Sequence, residues 1–150
     1  MPHLLDMILV AGMVVALYVV TTGGVMYLIA RFGGWRTLAA HFPQVPRANI
    51  VARGTFGSLC FGHWAAYNNA VAWAADEEHL HLSLLPGINL GTHAPLSIPW
   101  SAMEFTGVGR RSVTARITPT GVRMVLPRRM VEHELRVRDL LSDEALASSG

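Results

Sequence analysis

Between Met7 and Ala30 the chain carries 24 residues without a charge, most of them Leu, Ile, Val, Met and Ala. As a helix this run reaches roughly 36 Å, enough to cross a hydrocarbon core of about 30 Å with some tilt. A helix pairs its own backbone N–H and C=O groups, which a segment in lipid must do. Asp6 and Arg31 bound the run sharply. A cleaved signal peptide would want a basic start and a core of about 7–15 apolar residues. This chain begins Met1-Pro2-His3, and its apolar run is far longer. The reading is a transmembrane anchor over residues 1–31.

Charge sets the expected orientation. No Arg or Lys precedes the helix, whereas Arg31, Arg36, Arg47 and Arg53 follow it. Basic flanks stay on the cytoplasmic side, so the N-terminus is expected outside and the remainder in the cytoplasm of a bacterial inner membrane. A lone Cys60 allows no internal disulfide and suits a reducing compartment. All 12 basic residues are Arg, and a net charge of +2 is too small to point to nucleic acid.

Within the anchor, Gly12, Ala16, Gly23 and Gly24 are small residues that let another helix approach closely in lipid. The partners expected from them are other membrane-protein subunits. Gly33-Gly34 breaks the helix, and residues 32–49 are expected to form a short interfacial helix and a linker. Arg31, Trp35 and Arg36 there suit the membrane interface. Pro43 and Pro46 end that helix, and Gln44–Asn49 is too short to let a domain wander from the bilayer.

From Ile50 the period changes. Strands are expected over residues 50–56, 58–64, 71–75, 79–84, 96–100, 103–108, 112–117 and 122–126, with Gly, Pro and Asn between them. Tyr67-Asn68-Asn69 is expected to be a turn. About seven short strands at regular spacing indicate an antiparallel sandwich or barrel. Arg129–Leu141 follows as an amphipathic helix, with Leu135 on the apolar stripe and Arg136 and Arg138 opposite. Residues 142–150 are a small polar tail.

Seven strands and one terminal helix, with His79-Leu80-His81-Leu82-Ser83 and Leu96-Ser97-Ile98-Pro99-Trp100 among them, resemble bacterial membrane-anchored pleckstrin-homology-like (PH/GRAM-like) proteins over about residues 50–141. The resemblance implies a small barrel plugged by the terminal helix, and binding or scaffolding in place of catalysis. The phosphoinositide-binding run of basic residues in eukaryotic members is not matched, since Arg53 stands alone in that region.

The chemistry-bearing residues favour the same class. His79 and His81 lie two apart, on the strand face opposite Leu80 and Leu82. They would hold a metal only if His93 or Glu78 supplied a third ligand, and a solvated polar face is the simpler reading. No Gly-x-Ser-x-Gly elbow and no phosphate-binding glycine loop occurs. Cys60 has no basic sequence neighbour and reads as an inert thiol. His63 reads as packed or interfacial, and His3 and His41 as interfacial. No catalytic, metal or cofactor residue is assigned. The expectation is a non-enzymatic accessory subunit of a larger membrane complex, for which a respiratory or photosynthetic assembly is a natural host. The alternative is a peripheral module that senses anionic lipid or another ligand.

Overall fold

The computed structural model describes residues 2–140; the last residue of the expected terminal helix, Leu141, and the polar tail lie outside that range. Helix α1 (Pro2–Phe32) is long and apolar enough to cross a membrane, and none of the most apolar stretch within it is buried. A Cβ at Gly33 would come to 2.5 Å from both Ala65 Cβ and the Ile29 carbonyl oxygen, so the chain can turn this tightly against the sheet only with glycine. Gly34 follows at φ 101, in the left-handed region glycine tolerates, and α2 (Trp35–His41) begins.

Seven antiparallel strands form one curled, half-barrel sheet. They are β1 (Ala52–Phe61), β2 (Ala65–Ala75), β3 (His79–Leu84), β4 (Leu96–Pro99), β5 (Met103–Val108), β6 (Ser112–Ile117) and β7 (Val122–Pro127). Their order across the sheet is β4-β3-β2-β1-β7-β6-β5, which leaves β4 and β5 as its two edges. A four-residue helix α3 (Pro86–Asn89) lies between β3 and β4, and α4 (Glu132–Val137) closes the described chain.

The alternation in His79–Leu84 sends Leu80, Leu82 and Leu84 into the core beside Trp73 and Val71 of β2. Val113, Ala115 and Ile117 of β6 and Met124 and Leu126 of β7 do the same. The two strands expected at 50–56 and 58–64 are one strand. Gly57 does not end β1 but sits in a bulged stretch, where the register shifts on either side of it and Phe56 takes φ 55. A side chain at Gly57 would collide with the Met130 methyl, so the bulge brings the backbone against the core. Tyr67-Asn68-Asn69 is likewise strand and not turn. Tyr67 points into the core, while Asn69 bonds Ser58 across the hairpin.

The terminal helix is shorter than the apolar stripe implied. Arg128–Met130 is a 3-10 turn and α4 only six residues long. Met130, Val131 and Leu135 are buried, but Val137 is exposed. Arg138, expected on the solvent side, donates to Glu134 and to the carbonyls of Trp100 and Met103, while its guanidinium lies 5.0 Å from the Phe105 ring centre. It fastens the end of α4 to the chain joining the two sheet edges.

The second helix and the linker belong to the domain. Trp35 and Leu38 of α2 are completely buried, and residues 42–51 are a strap that pairs at Pro43 with Leu96 of the β4 edge and then runs past the outward side chains of Ser97 and Asp76. The strap is bonded along its length: Ser97 N–H to Phe42 C=O, Val45 N–H to Ser97 Oγ, Ala48 N–H to Asp76 Oδ2 and Val51 N–H to Ala75 C=O.

Candidate functional site

Beneath the strap lies a buried polar chain that alternation alone does not disclose. Asp76, at the β2–β3 turn, is 2% exposed and His81 1%. Asp76 Oδ1 accepts the backbone N–H groups of Glu78 (2.9 Å) and His79 (2.6 Å), and Oδ2 lies 2.7 Å from His81 Nε2. A carboxylate only accepts, so Nε2 carries a hydrogen; Nδ1 is hydrogen-bonded with the Ser97 hydroxyl at 2.8 Å. Burial by itself raises the Asp76 carboxyl. The bonds from His81, Glu78, His79 and Ala48 outweigh it and hold the group at about 2. His81 is therefore not on a solvated face, because the strap covers the side of β3 that alternation turns outward. His79, its neighbour on that face, remains partly exposed.

Asp76, His81 and Ser97 have the composition of a hydrolytic triad, but not its geometry. Ser97 is 2% exposed, and its Oγ already accepts the Val45 N–H. The imidazole also offers Nδ1 to the serine and Nε2 to the carboxylate, the reverse of the nucleophile-activating arrangement. No substrate reaches Ser97 while the strap is in place. The chain is a pin for the strap.

A second buried cluster sits inside the sheet, beneath α2. Trp35 packs against Phe61, Tyr67 and His93 with ring centres 5.5, 5.4 and 5.1 Å away, and its indole N–H donates to the Ala94 carbonyl at 2.8 Å. Trp35 is thus an inner packing residue and not an interfacial one; Gly33-Gly34 turns α2 back onto the open end of the sheet. Thr92 gives its hydroxyl hydrogen to Asn89 C=O and accepts from His93 Nδ1, and Nε2 accepts from the Tyr67 hydroxyl at 2.8 Å. Every polar atom of the neutral imidazole is satisfied. Burial holds His93 down at about 4 and pushes Tyr67 up. Its ring is committed here, away from His79 and His81. Among the described residues no three of His, Cys, Asp and Glu gather as a metal-binding group.

The remaining sequence-marked residues lie on or near α1. A Cβ added at Gly12 or Gly24 would have nothing within 4 Å, whereas one at Gly23 would meet Leu90 Cδ1 of this same chain at 4.0 Å. Ala16 is exposed. Arg31 is exposed and stacks over Phe32 at 5.6 Å. Arg36 donates to the Tyr27 hydroxyl at 3.2 Å with its guanidinium 5.4 Å from that ring. Cys60 is half-buried and His63 exposed. A cleft of about 540 Å³ opens between Tyr27, Arg36, Ala39 and the loop Gly91–Ala94.

No family model, curated protein or solved structure matches this chain.

Proposed function

We propose that this chain is a non-enzymatic accessory subunit of a larger membrane-protein complex, anchored by α1 and docking a pleckstrin-homology-like domain on the cytoplasmic face. The observation that carries the reading is the bare surface of α1. From His3 to Thr21 every residue is exposed, including Leu5, Met7, Met13 and Val20 at 66–74%. Apolar surface on that scale needs lipid or another helix to cover it. The domain, by contrast, uses its buried histidines and aspartate in bonds that hold its own chain. The orientation follows from the arginines after α1.

The lipid-sensing alternative needs arginines within reach of the bilayer. Arg53 lies at the far end of β1 from Phe61, which packs beside the foot of α1; eight strand residues separate them by roughly 26 Å. Arg53 is therefore out of reach of headgroups, and a lipid-sensing role would fall to Arg31 and Arg36 at the foot of α1.

The test is native purification with mass spectrometry of the accompanying chains. A subunit should carry partners at fixed stoichiometry. Gly12→Leu with Ala16→Leu enlarges one open face of α1, and should release those partners while leaving membrane insertion intact, since both changes add hydrophobicity. Arg47→Ala with Arg53→Ala should leave the complex unchanged. A complex that survives the leucines but dissociates with the arginine changes would overturn the subunit reading.

A further inference from the structure

The loop Pro86–Gly91 is placed where the domain meets the apolar helix. Ile88 is partly buried against the core, while Leu90 at the tip is 42% exposed. Leu90 takes φ 43 and Gly91 φ 74, so a leucine occupies the left-handed region that suits glycine or asparagine. The tip is held there: Thr92 N–H and hydroxyl both donate to Asn89 C=O, and His93 N–H donates to Asn89 Oδ1. A stiff, strained turn that presents an aliphatic side chain outward indicates a site with a use for it.

The position of Leu90 along α1 identifies that use. Its Cδ1 faces Gly23, nine residues before the helix ends at Phe32. The uncharged run begins at Met7, after Asp6, and a hydrocarbon core of about 30 Å takes about 20 helical residues, which carries it to about Met26. Gly23 therefore lies roughly 4–5 Å inside the core boundary, and any tilt of α1 draws it deeper. One turn beyond Gly23 stands Tyr27, bonded to Arg36, at the height where aromatic and basic side chains meet headgroups.

We propose that the Pro86–Gly91 loop is a second membrane contact: Leu90 enters the hydrocarbon edge beside Gly23, and Arg36, lining the cleft above it with Tyr27, meets a phospholipid phosphate. The inference rests on the reading of α1 as a membrane span. It commits the foot of the domain to lipid, and makes the domain's height and rotation over the bilayer fixed rather than free. It also assigns the Gly23 face of α1 to this chain's own loop, which leaves Gly12 and Ala16 for a neighbouring helix.

The experiment uses the full chain in nanodiscs of mixed phosphatidylcholine and phosphatidylglycerol, with Cys60→Ser as background. Nitroxides are placed through Leu90→Cys, Val14→Cys on bare α1, and Arg110→Cys at the β5–β6 turn far from the foot. Dissolved oxygen should relax the labels at 90 and 14 more than a water-soluble nickel chelate does, with the order reversed at 110. Because Leu90 and Arg110 are both exposed, each variant should melt with the parent, and a thermal scan verifies it. A label at 90 that follows 110 while 14 remains in lipid would overturn the loop insertion and leave the span standing. A label at 14 accessible to the nickel chelate would remove the span, and the loop proposal with it.

Discussion

His81 lies on the outer face of the sheet against a carboxylate, whereas His93 lies on the inner side among aromatic rings. Both are 1% exposed and both ring nitrogens of each are bonded. The difference is charge. Asp76 stays ionised because four hydrogen bonds converge on it, and it binds strap and β3 together. The His93 cluster holds no charge and no carboxylate; it offers α2 a seat of edge-to-face rings with its polar atoms already paired. The two imidazoles are buried on different partners, one against an ionised carboxylate and one among neutral hydroxyls and rings. The first ties down a segment that has little apolar surface of its own. The second lets an apolar helix pack without a charge beneath it.

The largest expected effect comes from removing the roof of the neutral cluster. Trp35 has no exposed surface and touches three rings, so Trp35→Ala should cost about 3–5 kcal/mol. That is a large share of the roughly 5–15 kcal/mol that holds a domain of this size. A thermal or denaturant melt of the full chain in detergent measures it. If the midpoint does not move, α2 is an appendage of α1 and the neutral cluster does not support the core.

Next in size is the pH response of His93. Its folded value of about 4 lies below the unfolded 6.5, so on acidification the unfolded chain takes up the proton first. The stability associated with the neutral ring is fully present above pH 6.5 and drains away as pH falls to about 4. Two and a half units amount to about 3 kcal/mol. Melts of the parent and His93→Gln at a series of pH values should diverge in slope across that window, with the variant flatter. Parallel curves would show that His93 is not held neutral.

How much of this was legible from residues alone differs between the two clusters. Alternation in His79–Leu84 correctly sent the leucines inward, because side-chain direction has period two whatever surrounds the strand. It put His81 outward, which is also correct, and from that a solvated face, which is not. Period tells which side of a sheet a residue occupies, and not what later lies over it. The cover comes from Phe42–Val51, whose prolines and polar residues read as linker, since a strap held by backbone hydrogen bonds needs no apolar pattern. Trp35 was misplaced for a related reason: a tryptophan just past an apolar helix suits the membrane interface equally well, and only the turn at Gly33-Gly34 decides otherwise. Glycines misled in β1, where Gly57 marks a bulge and close packing rather than a strand end. At the chain's far end, an apolar stripe extended past Val137 although the helix stops there.

The smallest of the three effects tests the charged cluster and sharpens the contrast. Burial raises the Asp76 carboxyl, but its hydrogen bonds bring it to about 2 in the folded chain against 3.8 for a free aspartate, so the ionised carboxylate stabilises above pH 3.8 and the benefit is lost as pH falls from 3.8 to about 2. That difference is about 2 kcal/mol. Asp76→Asn keeps the shape and removes the charge, and an amide nitrogen in place of Oδ2 accepts from neither His81 nor Ala48. At neutral pH it should therefore cost about 2 kcal/mol, with the parent and variant converging at the acid end. Hydrogen exchange should locate the loss: the N–H groups of Val45 and Ala48 should exchange faster, while those around Trp35 and His93 keep their protection. The acid window of His93 should also stay where it was, because the two clusters share no residue and no hydrogen bond. If Asp76→Asn shifts that window or unprotects α2, strap and plug form one cooperative unit, and the division into a charged fastening and a neutral seat fails.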